Sequence, residues 1–172
     1  GGAFFLRIRG RSVSPGEFAL TLAPMQLVAH PDSSAAPIGR FTGSAGRDAR
    51  GGVLLEMRAE GEAAAIRLPQ PAPAVPTDGL WRHTCLEAFV KADGEGYCEL
   101  NFSASGQWAA YSFVRYRESM TALSGLPEPR ITVRRDAEAF ELVAQVARSG
   151  LAGCTAAERV KIALSAVVED ID

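Results

Sequence analysis

The chain has 172 residues, 47% of them apolar and 22% charged, with a formal net charge of −2. That balance suits a globular fold and excludes a largely disordered chain. It leaves no electrostatic footprint for nucleic acid, and no apolar run is long enough to cross a bilayer, so neither partner is expected. Arg130, Arg134 and Arg135 form a local basic cluster that a solvated strand face explains.

The first segment, "GGAFFLRIRGRS", has no long apolar run because Arg7, Arg9 and Arg11 interrupt it, so no signal peptide is read there. "EFALTLAP" (17–24) is expected as an edge strand closed by Pro24, and "HPDSSAAPIG" (30–39) as a loop. "GVLLEMRAE" alternates Val53, Leu55 and Met57 against Leu54, Glu56 and Arg58, the period of a strand. "AAIRL" (64–68) reads the same way. "LPQPAPAVPTDG" (68–79) holds four prolines and is expected to cross the surface as a long loop, since proline lacks the N–H and fixes φ. "TCLEAFVK" (84–91), "ITVRR" (131–135) and "FELVAQVA" (140–147) are further strands. The C-terminal "TAAERVKIALSAVVEDID" fits either period; β-branched enrichment favours a strand after a single helical turn at "TAAER". About ten short strands with little helix predict an all-β, two-sheet β-sandwich in one domain, residues 1–172. The ending at Glu169-Asp170-Ile171-Asp172 suggests that the last strand or strands of the domain are missing. Cys85, Cys98 and Cys154 are odd in number and match no zinc spacing, which predicts free thiols, a reducing compartment and a cytoplasmic address.

"YCELNFSASGQWAAYSF" (97–113) reads as a hairpin. A two-residue turn at Ser105-Gly106 would set Phe102 opposite Ala109, Leu100 opposite Tyr111 and Cys98 opposite Phe113, with Trp108 on the face of Glu99 and Asn101. For the preceding strand, a three-residue loop puts Glu87 opposite Glu99. A five-residue loop puts Glu87 opposite Asn101, and is preferred because it avoids like charges face to face. Cys85 and Cys98 then lie on opposite faces and cannot bridge.

On this register Glu87, Glu99, Asn101 and Trp108 share one face. Trp108 either packs under a loop or offers a stacking platform. Sugars suit a platform flanked by carboxylate and amide, because their C–H faces lie on aromatics while their hydroxyls need paired donors and acceptors. Trp81, in "DGLWRHT", is a second wall with the same two options. Glu87 and Glu99 also have the residue types of a glycosidase carboxylate pair, which would demand a deep cleft and one raised pKa. His83 with Met120 or Met57 could ligate a b-type haem, although no Cys-x-x-Cys-His segment is present. A third alternative is a scaffold that presents an apolar patch to a protein partner.

"DGLWRHTCLEAFV", "GYCELNFSASGQWAAYSFVRYRESM" and "KIALSAVVED" together resemble bacterial DOMON-like proteins, related to the family-nine carbohydrate-binding modules, over roughly residues 78–170. The resemblance implies an immunoglobulin-like or jelly-roll-like sandwich whose relatives bind sugars in an aromatic-lined cleft, or bind haem. It also implies a further Trp-containing strand after the last one here. Carried onto this chain, sugar contact falls on Trp81 and Trp108, with Glu87, Glu99 and Asn101 as polar partners. The expectation is therefore a non-catalytic module for a carbohydrate or similar small polar ligand, with no cofactor, no metal and no catalytic residue.

Overall fold

Alternating side chains make most of the strands, and the computed structural model describes residues 3–7, 11–13, 23–30, 33, 39–155 and 160–171. The strands are β1 (Ala3–Arg7), β2 (Arg11–Val13), β3 (Met25–Gln26), β4 (Val28–Ala29), β5 (Arg40–Arg47), β6 (Val53–Glu60) and β7 (Ile66–Arg67). They continue with β8 (Cys85–Lys91), β9 (Tyr97–Ser103), β10 (Trp108–Phe113), β11 (Thr121–Ala122), β12 (Arg130–Arg135), β13 (Ala139–Val146) and β14 (Val160–Asp170). One sheet runs β11-β10-β9-β8-β14-β1-β4, with β2 and β7 also paired to β14. The other runs β12-β13-β6-β5-β3. All strand pairs are antiparallel. The fold is an all-β two-sheet sandwich.

One face of each sheet supplies the core. From the smaller sheet come Val53, Leu55, Met57 and Ala59 on β6, and Phe140, Leu142, Ala144 and Val146 on β13. From the larger come Leu86, Ala88 and Val90 on β8, Cys98, Leu100 and Phe102 on β9, and Ile162, Leu164, Ala166 and Val168 on β14. These are the period-two positions expected from sequence, and β14 settles the ambiguous C-terminal segment as a strand. "EFALTLAP", "HPDSSAAPIG" and "TAAER" fall largely outside the described residues. "AAIRL" is shorter than expected, since Ala63–Ala65 form a 3-10 turn and only Ile66–Arg67 pair. The sequence reading missed the short strands β1, β2, β3, β4 and β11, and two longer elements. β5 is built from small residues with little alternation (Gly43, Ser44, Ala45, Gly46), and α1 (Arg148–Cys154) contains Gly150 and Gly153. On β12 the basic cluster lies on an exposed edge, with Arg134 Nη1 3.7 Å from Glu141 Oε2.

Two hairpin registers decide which side chains share a face. Between β8 and β9 the five-residue arrangement holds, and Glu87 pairs with Asn101. Between β9 and β10 the expected register is wrong by one residue. Trp108 pairs with Phe102, Ala110 with Leu100, and Phe113 with Tyr97. The connection has three residues, Ala104-Ser105-Gly106, closed by Ser103 N–H donating to Gln107 O at 2.9 Å. Gly106 takes φ of 94°, the left-handed third residue that such a loop requires. Ser105 N–H and Oγ both donate to Ser103 Oγ, at 3.1 and 2.9 Å, fixing the turn from inside. A one-residue change of loop length turns every β10 side chain to the other face. Gly106→Ala is expected to cost about 1–2 kcal/mol through backbone conformation alone. There is room for the methyl, whose closest contact would be Ala72 O at 3.6 Å. Urea unfolding measures the loss, and Gly106→Asn should recover part of it.

Candidate functional site

The outward face of the larger sheet carries the chemistry. Across β14, β8, β9 and β10 its side chains fall into rows set by register. One row is Ala163, Phe89, Glu99, Tyr111, and the next is Ser165, Glu87, Asn101, Ala109. On the other side of the first row stand Lys161, Lys91, Tyr97 and Phe113, where Lys161 pairs with Lys91 and Tyr97 with Phe113.

Two segments stand over this face. The Pro-rich crossing runs beside β10, where Thr77 N–H donates to Trp108 O at 2.8 Å and Pro76 forms a parallel bridge to Trp108. It then turns onto the sheet through Gly79 (φ 79°) into a 3-10 turn, Leu80–Arg82. Leu80 packs with Ala109 and Tyr111, and the Trp81 ring meets Tyr111 edge-on at 5.4 Å. Tyr111 Oη donates to Asp78 Oδ1 at 2.7 Å; burial and that carboxylate push the phenol up. The second segment follows β10. Arg117 and Ser119 both adopt φ of 57° there, an uncommon conformation for residues with a Cβ, and Arg117 N–H donates to Tyr97 Oη at 3.3 Å.

Between these segments the face opens as a cavity of about 660 Å³. Its aromatic lining is Trp81, Phe89, Tyr97 and Phe113, with Tyr116 and Met120 at the exposed mouth. Tyr97 and Phe113 are stacked at 4.6 Å with planes 3° apart, and Phe89 leans on Tyr97 at 6.1 Å. Polar lining comes from Glu87, Glu99, Ser165, Lys91, Lys161 and Arg117. No protein-family model, curated protein or solved structure matches the chain.

Three of the five residues singled out from sequence, Trp81, Glu87 and Glu99, line the cavity. Asn101 lies just beneath, fully buried, with Nδ2 donating to Glu99 Oε1 at 3.1 Å. Its Oδ1 has no hydrogen-bond partner among the described residues. Trp108 is the correction. The three-residue loop turns it into the inter-sheet core, where it is 5% exposed and packs with the cluster that includes Leu100 and Phe102. Sequence reasoning missed Phe89, Tyr97 and Phe113. The alternation of β8 and β9 already put Phe89 and Tyr97 on the face of the two glutamates, whereas Phe113 needed the correct turn.

Glu99 is half-buried, and loss of water pushes its carboxyl above the usual 4.5, against the lowering effects of the Asn101 amide and the Arg117 charge. The folded state thus holds this proton more tightly than the unfolded chain does. The stabilisation is full below 4.5 and is lost as pH rises through the raised value. Glu99→Gln, which can still accept from Asn101, is expected to flatten this slope and to gain stability relative to wild type at neutral pH. Urea unfolding of both proteins between about pH 4 and 7 checks this, and a wild-type advantage over Glu99→Gln that grows as pH rises would contradict it.

Glu87 and Glu99 share the cavity on neighbouring strands, as diagonal neighbours rather than a facing pair, since Glu87 faces Asn101 and Glu99 faces Phe89. The haem alternative fares differently. Met57 is fully buried between the sheets, and His83 Nδ1 sits 3.1 Å from Glu169 Oε2, while Met120 stands at the cavity mouth. His83 is not among the described lining residues, and no cluster of three or more metal-ligating His, Cys, Asp or Glu occurs among the described residues. The three cysteines are free, with Cys85 on the outward face and Cys98 on the core face. No described helix is long and apolar enough to cross a membrane.

Proposed function

We propose that the chain is a non-catalytic binding module whose outward cavity takes a carbohydrate or a similar small polar ring. The observation that carries this is the Phe89–Tyr97–Phe113 aromatic row standing beside the half-buried Glu99 in one open cavity. Such a lining accepts the apolar C–H face of a ring, and Glu87, Glu99 and Ser165 supply partners for its hydroxyls. The resemblance of residues 78–170 to DOMON-like proteins and family-nine carbohydrate-binding modules points the same way, with the platform moved from Trp108 to the aromatic row.

The chain has two tryptophans, Trp81 at the cavity and Trp108 in the core. Trp108→Phe therefore leaves the cavity's own indole as sole reporter. Titration of this variant with mono- and oligosaccharides should give a saturable change in emission. Silence across the panel, with wild type equally silent by calorimetry, sinks the proposal.

A second reading has one specific observation behind it: Glu99, its carboxyl raised by burial as a glycoside-cleaving acid would need, shares its cavity with a second carboxylate, Glu87. Release of nitrophenol from aryl glycosides, abolished by Glu99→Gln, would select it over simple binding.

A further inference from the structure

Lys161 on β14 and Lys91 on β8 are direct cross-strand partners. Both line the cavity at the end bounded by Tyr97. Directly opposed side chains have their Cβ atoms about 4.5–5.5 Å apart, and like charges in that arrangement repel. Ordinarily a nearby carboxylate relieves such a pair. Here neither ammonium has an ion-pair or hydrogen-bond partner among the described residues. Glu95, which also lines the cavity, is engaged by Arg115 Nε at 2.9 Å. Glu99 stands in the adjacent row, diagonal to Lys91, where it accepts from Asn101 Nδ2, and Glu87 stands one row further, with Phe89 between it and the lysine row on β8.

We infer that the cavity's ligand is anionic, and that its charged group is held between the Lys91 and Lys161 ammoniums while its ring lies along Phe89 and Tyr97. This rests on the cavity being the ligand site. The ligand class is a ring bearing a singly charged oxyanion, either a carboxylate as in a hexuronic acid or a sulfate ester. Two ammoniums facing across one strand pair fit such a group as point charges, without the planar fork an arginine would offer. The aromatic row fixes the ring, and the lysine pair selects among rings of the same shape by charge.

The test is calorimetric titration of wild type and Lys91→Gln/Lys161→Gln with glucose, glucuronate and glucose 6-sulfate. At low salt one of the anionic sugars should bind wild type about tenfold tighter than glucose, and the preference should shrink as salt is raised. In the double variant the ratio of anionic to neutral affinity should fall to near one. Its melting temperature should hold or rise, because a repulsive pair has been removed. Which of the two anions binds more tightly identifies the oxyanion. Equal affinities for glucose and both anions, or a preference that survives in the double variant, would overturn the inference and leave the binding function standing. No binding of any of the three would overturn the inference, and silence across the wider saccharide panel would take the proposed function with it.

Discussion

Trp108→Ala is expected to lower the unfolding free energy by about 3–5 kcal/mol, the range for truncating a large aromatic in a packed core. The indole is 5% exposed and belongs to the cluster that joins the two sheets. Trp108→Phe should cost far less than Trp108→Ala. The phenyl ring retains most of the contact, and the substitution removes an indole N–H that is buried with no acceptor among the described residues. An unsatisfied buried donor carries a penalty of about 1–3 kcal/mol, and that penalty disappears with the nitrogen. Urea unfolding of the three proteins separates the contributions. A small loss for Trp108→Ala would mean that the core collapses around the gap.

The misplacement of Trp108 in the sequence reading has a physical cause. Alternation identifies a core face only when the other face is polar. On β10 the outward residues Ala109 and Tyr111 are themselves buried, because Leu80 and Trp81 cover them. Both faces of the strand therefore look apolar, and pattern alone cannot choose between Trp108/Ala110 and Ala109/Tyr111. The turn was equally ambiguous, since a glycine at 106 suits a two-residue loop or the third position of a three-residue loop. On β8 and β9 the information was sufficient. Glu87 and Glu99 mark the outward face, and repulsion between them selects the pairing of Glu87 with Asn101. β5 was silent for a different reason: Gly43, Ser44, Ala45 and Gly46 carry almost no hydrophobic contrast, yet the strand is held by eight register pairs with β6. The cavity itself depends on where the 77–83 crossing and the 114–120 loop come to rest over the sheet, and no local period encodes that.

Phe113→Ala is expected to do the reverse of Trp108→Ala, sparing the fold and emptying the site. The ring is only partly buried and stacks on Tyr97 at the cavity, outside the inter-sheet core. Its removal forfeits an aromatic pair worth about 0.5–1.5 kcal/mol beyond burial, so stability should fall by less than about 2 kcal/mol. For a ring ligand the same change removes one side of the stack that positions Tyr97. Affinity should drop about tenfold or more, equivalent to at least about 1.4 kcal/mol. The measurement is emission of Trp81 in the Trp108→Phe background, titrated with whichever sugar saturates the parent, beside urea unfolding of the same samples. Phe113→Leu serves as the second variant, since it keeps apolar volume but abolishes the flat face, and it should lose affinity nearly as completely. Retained affinity in both would place recognition away from the aromatic row. Loss in the Phe113 variants with a stable fold ties recognition to the aromatic row, because there is no longer a stacked surface at Tyr97 for a ring to join.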